Sequence, residues 1–143
     1  MSSDSVSPNS RPARILCVDD EPAIRDVLCA LLRREGFVAE GAGNGMEAWH
    51  KLTAAGSDYA LLITDNDMPG LNGSGLVQKA RAAGVEVKIM VFSASLTPGD
   101  EAAFQASGVD AIVAKGSAID ELLGTVRRLV GVESAGERGK IQR

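Results

Sequence analysis

Three stretches of this chain, Leu61–Thr64 (LLIT), Ile89–Phe92 (IMVF) and Ala111–Ala114 (AIVA), are apolar on consecutive residues instead of alternate ones. A strand with one face in water alternates. A strand covered on both faces need not, and such strands belong to parallel sheets flanked by helices. The apolar runs RILCV, FVAEGA, YALLIT, VKIMVFS and DAIVAK each precede a helix-period segment, the first EPAIRDVLCALLRREG and the last SAIDELLGTVRRLVG. Five strands and five helices in strict alternation, joined by right-handed crossovers, predict an α/β fold: a doubly wound parallel sheet between helical layers. Ligands on such sheets bind outside the carboxyl ends of the strands, where strand order reverses.

The helix boundaries carry their own signals. In the first helix Ile24, Val27, Leu28 and Leu31 recur at i, i+3, i+4 and i+7, which predicts one buried face, with Pro22 in the first turn and Gly36 at the exit. Thr97 before Pro98 predicts an N-cap for the fourth helix, and Ser117 with Asp120 three residues on resembles a capping box for the fifth. Gly84, Gly108 and Gly131 close the last three helices. Met46, Trp49 and Leu52 fall at helical spacing and are expected in the core, while His50, among polar neighbours, is expected to be exposed.

At 143 residues the chain fits one domain. That domain is expected over residues 13–131, between a Ser-, Pro- and Asn-rich N-terminal tail at 1–12, expected to be disordered, and a solvated C-terminal tail at 132–143. A net charge of −4 argues against direct nucleic-acid binding, which calls for a basic stripe. Cys17 and Cys29 have neither CxxC spacing nor a nearby His pair, and are expected to be small core hydrophobes in a reducing compartment. The polar start lacks a secretory apolar stretch, and no run approaches membrane-spanning length, so the cytoplasm is expected, with no membrane partner.

The strand ends carry the chemistry. The first strand ends in Asp19, Asp20 and Glu21, the third in Asp65 and Asp67, the fourth in Ser93 and the fifth in Lys115. In a parallel sheet all of these emerge at one edge. Two unit charges ~4 Å apart repel by about 4 kcal/mol at an effective dielectric near 20, so clustered carboxylates there need a cation. Oxygen-only ligands on a partly open site favour Mg²⁺, which takes one or two carboxylates and accepts phosphate oxygens. Lys115 and Ser93 would complete a phosphoryl pocket beside a carboxylate able to act as nucleophile. Taken alone, Asp19 and Asp20 could instead cap the first helix.

The motifs VDDE (Asp19, Asp20), DNDMPGLNG (Asp65, Met68, Pro69, Gly73), SAS (Ser93, Ala94) and Lys115, in order and each at a strand end, resemble those of the receiver domain of two-component response regulators. GNGMEAW resembles that family's second-helix opening, and the likeness runs from about Arg14 to Gly131. The resemblance implies a flavodoxin-like sheet of order 2-1-3-4-5, as in the chemotaxis regulator. It implies Asp65 as phospho-acceptor from a sensor histidine kinase or phosphotransfer protein. It implies Mg²⁺ held by Asp20, Asp65 and the backbone carbonyl of Asp67, with Asp19 assisting, and Ser93 and Lys115 on the phosphoryl oxygens. It also implies a switching face of the fourth helix, fifth strand and fifth helix, read by a downstream protein target, in a switch and not a turnover enzyme.

The sequence departs from the family at three positions. Gly116 stands where relatives place a cis proline, so the loop is expected to run trans and to hold Lys115 less rigidly. Ile112 replaces a common aromatic, removing an aromatic rotamer coupled to Ser93 as the signal, and Asp67 adds an acidic side chain expected to alter metal affinity and acyl-phosphate lifetime. Two other readings use the same residues. LLITDNDMP resembles the DxD element of haloacid dehalogenase-type phosphatases, although there it follows the first strand; or the domain is an interaction module that no longer takes phosphate.

Overall fold

The computed structural model describes residues 11–131. In chain order the elements are β1 (Arg14–Val18), α1 (Pro22–Arg34), β2 (Val38–Ala42), α2 (Gly45–Thr53), β3 (Leu61–Thr64), α3 (Gly73–Ala82), β4 (Lys88–Ser93), α4 (Pro98–Ala106), β5 (Ala111–Ala114) and α5 (Ile119–Val130). The strands form one parallel sheet in the order β2-β1-β3-β4-β5, the doubly wound arrangement expected. Strand order reverses between β1 and β3, so their carboxyl ends frame the crevice. Apart from residues 11 and 12, the tails expected at 1–12 and 132–143 lie outside the described residues.

Burial on both faces of the sheet explains the consecutive apolar runs. Along β1 and β3, Ile15, Cys17, Leu61 and Ile63 point to one side and pack with Leu28, Cys29 and Leu32 of α1 and Leu122, Leu123 and Val126 of α5. Leu16, Val18 and Leu62 point to the other side, toward Ala48 and Leu52 of α2, Leu76 and Val77 of α3 and Phe104 of α4. Each fully buried aliphatic side chain stabilises the fold by roughly 1.5–3 kcal/mol, so the strands cannot slip register without exchanging the two layers. Cys17 and Cys29 are buried free thiols, as the sequence predicts.

Three local expectations are corrected. In α1 the buried residues are Leu28, Cys29 and Leu32, whereas Val27 is 60% exposed. Of the expected stripe only Leu28 joins the core; Ile24, Val27 and Leu31 line, with Phe92, Ile119 and Leu122, a groove between α1 and α5. Helix α5 is not capped by Ser117: its N-cap is Ala118, with no side-chain cap, because the Ser117 N–H is used in a tight turn onto the Ala114 carbonyl. Met46, in the first turn of α2, is 45% exposed; Leu52 is buried, Trp49 is half-buried with the Lys79 ammonium 5.0 Å over its ring, and His50 is exposed.

Other boundary signals hold. Thr97 and Asp100 form a reciprocal capping box on α4 with Pro98 behind it. Gly84, Gly108 and Gly131 end α3, α4 and α5, and at Gly131 φ is +76°, a conformation that any side chain would strain. Neither Asp19 nor Asp20 caps α1, whose N-cap is Glu21 without a side-chain bond. The two acids are left for another purpose.

Candidate phosphoryl-acceptor site

Parallel strands carry the expected residues to one edge. Asp19 follows β1, Asp65 follows β3 and Ser93 ends β4; all three are buried, at 3%, 6% and 4% exposure. Asp20 is exposed, yet Asp19, Asp20 and Asp65 each offer a carboxylate oxygen within 4.8 Å of the others. Lys115, beyond β5, reaches across to them, its Nζ 2.8 Å from Asp19 Oδ2 and 3.3 Å from Asp65 Oδ2. Burial alone would pull the Lys115 ammonium below its ordinary value, but the hydrogen bond to Asp19 and the charges of Asp65 and Asp19 outweigh it, and its pKa is raised.

The peptide bond into Gly116 is trans, since no cis bond occurs among the described residues. The Lys115 backbone is tied to the sheet through its N–H on the Ser93 carbonyl, 3.0 Å. Ser93 Oγ is the one buried side-chain polar atom among the described residues without a hydrogen-bond partner. An unpartnered buried hydroxyl costs about 1–3 kcal/mol, which a fold retains only where something else uses it. The Asp67 side chain is exposed and its carboxylate is not part of the acidic cluster, while Ile112 is half-buried against the second core layer.

Asn66 was not foreseen as part of this site. It is 8% exposed; its N–H donates to Asp65 Oδ1 at 2.8 Å, and its own Oδ1 accepts from the Ser74 N–H at 3.2 Å. The Asp65 carboxylate is thereby tied to the first turn of α3. This contact needs Gly73, where a Cβ would lie 2.4 Å from the Asp65 carbonyl oxygen. The only sequence signal was a second polar residue beside Asp65 at the end of an apolar run. All the donors gathered around the cluster are oxygens, a set suited to a hard divalent cation, and one ammonium stands against three carboxylates.

Residues 15–127 match the family described as "Response regulator receiver domain". The chain belongs to that family. It is 31% identical over 127 residues to the transcriptional regulatory protein TrcR of Mycobacterium tuberculosis, covering 89% of this chain and 49% of that protein. Against the alkaline phosphatase synthesis transcriptional regulatory protein SphR of Synechococcus elongatus it is 33% identical over 133 residues, covering 87% and 52%. This receiver chain thus spans about half the length of those curated relatives. Among solved structures, a CheY-like response regulator receiver domain protein of Methanospirillum hungatei superposes with a TM-score of 0.79 at 25% identity, over 85% of this chain and 95% of that one. The response regulator TrrA of Thermotoga maritima, crystallised in complex with Mg²⁺-BeF, gives 0.73 at 34% identity, over 82% and 98%. No described helix is long and apolar enough to cross a membrane.

Proposed function

We propose that this receiver accepts a phosphoryl group on Asp65 from a phosphohistidine of a sensor kinase or phosphotransfer protein, in a Mg²⁺-dependent reaction, and acts as a stoichiometric switch in the cytoplasm. The observation that carries the reading is the buried, unpartnered Ser93 hydroxyl at the strand end beside Asp65 and Lys115. Asp65 supplies a carboxylate oxygen that forms the new O–P bond as the N–P bond breaks and the electron pair leaves with the imidazole. The Asn66 N–H fixes which Asp65 oxygen is held back, since it already occupies Oδ1. Lys115, now shared between Asp19 and Asp65, shifts its contact to a phosphoryl oxygen, and Ser93 Oγ gives that oxygen set its missing donor. Asp20, Asp65 and the Asp67 carbonyl, with Asp19 alongside, would hold Mg²⁺, whose charge would offset that of the incoming phosphoryl group.

The Lys115 backbone bond to Ser93 links the pocket to β5, so re-partnering these two residues biases the face formed by α4, β5 and α5. With Ile112 in β5, that bias must travel through backbone and aliphatic packing. Intact-mass measurement after incubation with acetyl phosphate and MgCl₂ tests the reading: one phosphoryl group on the wild type, none on Asp65→Asn. An unmodified wild type would make this a phosphorylation-independent interaction module, and steady hydrolysis of small phosphate esters would make it a phosphatase.

A further inference from the structure

Arg25, in the second turn of α1, is half-buried and donates from Nη1 to the backbone carbonyl of Asp19 at 2.9 Å. To arrive there its side chain lies along the end of β2. A Cβ on Gly41 would come within 2.9 Å of Arg25 Cδ, and one on Gly43 within 3.3 Å of Nη1. The two glycines therefore leave the channel that the arginine fills. With this bond, every polar group of Asp19 is committed. Its N–H donates to the Ala42 carbonyl at 3.2 Å, Oδ1 accepts from the Glu21 N–H at 3.0 Å, and Oδ2 meets Lys115 at 2.8 Å.

The Asp19 carbonyl and the Asp20 N–H share one rigid peptide plane, so pinning that oxygen also sets the direction in which Asp20 leaves β1. Asp20 is exposed and, among the described residues, has no side-chain hydrogen bond or ion pair of its own to orient it. We propose that Arg25 is a positioning residue for the acidic pocket: its guanidinium, seated over Gly41 and Gly43, locks the Asp19–Asp20 peptide so that both carboxylates face Asp65. The inference rests on the reading of that pocket as a cation site. A positive charge so near would by itself oppose a bound cation, whereas a clamp favours it, so the two roles predict opposite signs.

Titration calorimetry with MgCl₂ alone separates them. Arg25→Met keeps an alkyl stem along Gly41 but removes the donor, and is expected to weaken Mg²⁺ binding about tenfold, the loss of one charge-assisted hydrogen bond. Arg25→Lys keeps the charge without the forked reach and is expected to lose nearly as much. Gly43→Ala, which narrows the channel from the other side, shifts affinity in the same direction by less. Unchanged or tighter binding in Arg25→Met, or full recovery in Arg25→Lys, overturns the clamp. Amide hydrogen exchange on the metal-free protein gives a readout independent of the cation: faster exchange confined to Asp19–Glu21 in Arg25→Met supports the clamp, and uniform or unaltered exchange overturns it. Failure of the wild type itself to bind Mg²⁺ would sink the cation-site reading and leave the exchange result to judge the clamp.

Discussion

The two edges of the sheet handle charge in opposite ways. At the amino ends of the strands Arg14 pairs with Glu40 and Asp58, and Arg81 and Lys88 both approach Asp110, so three cations meet three acids. Tyr59 adds a hydrogen bond to Glu40 and lies under the Arg14 guanidinium. At the carboxyl ends Asp19 and Asp65 share Lys115, the neighbouring Asp20 carboxylate has no cation of its own among the described residues, and the Ser93 hydroxyl has no partner. The first edge is neutralised and partly open to water, a structural arrangement. The second is buried except at Asp20, short of cations and short of a hydrogen-bond acceptor, which is the condition of a site completed by a ligand.

That contrast can be broken most severely through the glycines that close the acidic edge. A Cβ at Gly45 would sit 2.1 Å from the Leu71 carbonyl oxygen, and at Gly73 2.4 Å from that of Asp65. Backbone cannot yield as a flexible side chain can, so Gly45→Ala and Gly73→Ala are each expected to cost about 3 kcal/mol or more, measured by urea unfolding. Next is Lys115→Met, which strands two buried carboxylates and should destabilise the Mg²⁺-free protein by about 3 kcal/mol, with much of the loss recovered when MgCl₂ is added. The neutralised edge gives a smaller response: Tyr59→Phe removes one hydrogen bond, about 1 kcal/mol, and Mg²⁺ should not restore it.

Alkaline pH sharpens the same comparison. Burial, then the hydrogen bond to Glu40, push the Tyr59 hydroxyl up to about 12 from 10.0. A raised phenol binds its proton more tightly in the folded chain, so its contribution is intact below about pH 10 and is lost as pH climbs to about 12. Lys115 is also raised, so its contribution is whole below 10.5 and fades as pH passes its folded value. Stability should therefore fall above pH 10, with Tyr59→Phe and Lys115→Met each flattening part of the slope; absorbance of the single tyrosine reports its share directly. The smallest effect expected is from Asp67→Asn, whose exposed charge should alter Mg²⁺ affinity and acyl-phosphate lifetime about two- to fivefold, read by calorimetry and by decay of the phosphorylated mass.

Much of this was legible in the sequence because it depends on short-range pattern. Consecutive apolar residues in LLIT and IMVF declared strands buried on both faces, and parallel topology then forced Asp19, Asp65, Ser93 and Lys115 to one edge. What was hidden depends on contacts across the chain. Nothing local told that Leu71 would lie against Gly45, that Arg25 would run over Gly41 and Gly43, or that Asn66 would turn to Ser74. The periodicity of α1 pointed to a buried face of Ile24, Val27, Leu28 and Leu31, and only packing decided that Cys29 and Leu32 join Leu28 against the sheet while Val27 faces outward. At Ser117, a correct capping residue was overridden by the turn that follows Lys115.

The claim that the acidic edge is built for a divalent cation meets its most direct test in thermal unfolding at fixed ionic strength with increasing MgCl₂. The midpoint of the wild type and of Glu40→Gln should rise saturably, and that of Asp65→Asn should stay nearly level. An unmoved wild type, or an Asp65→Asn protein that gains as much as the wild type, would contradict it.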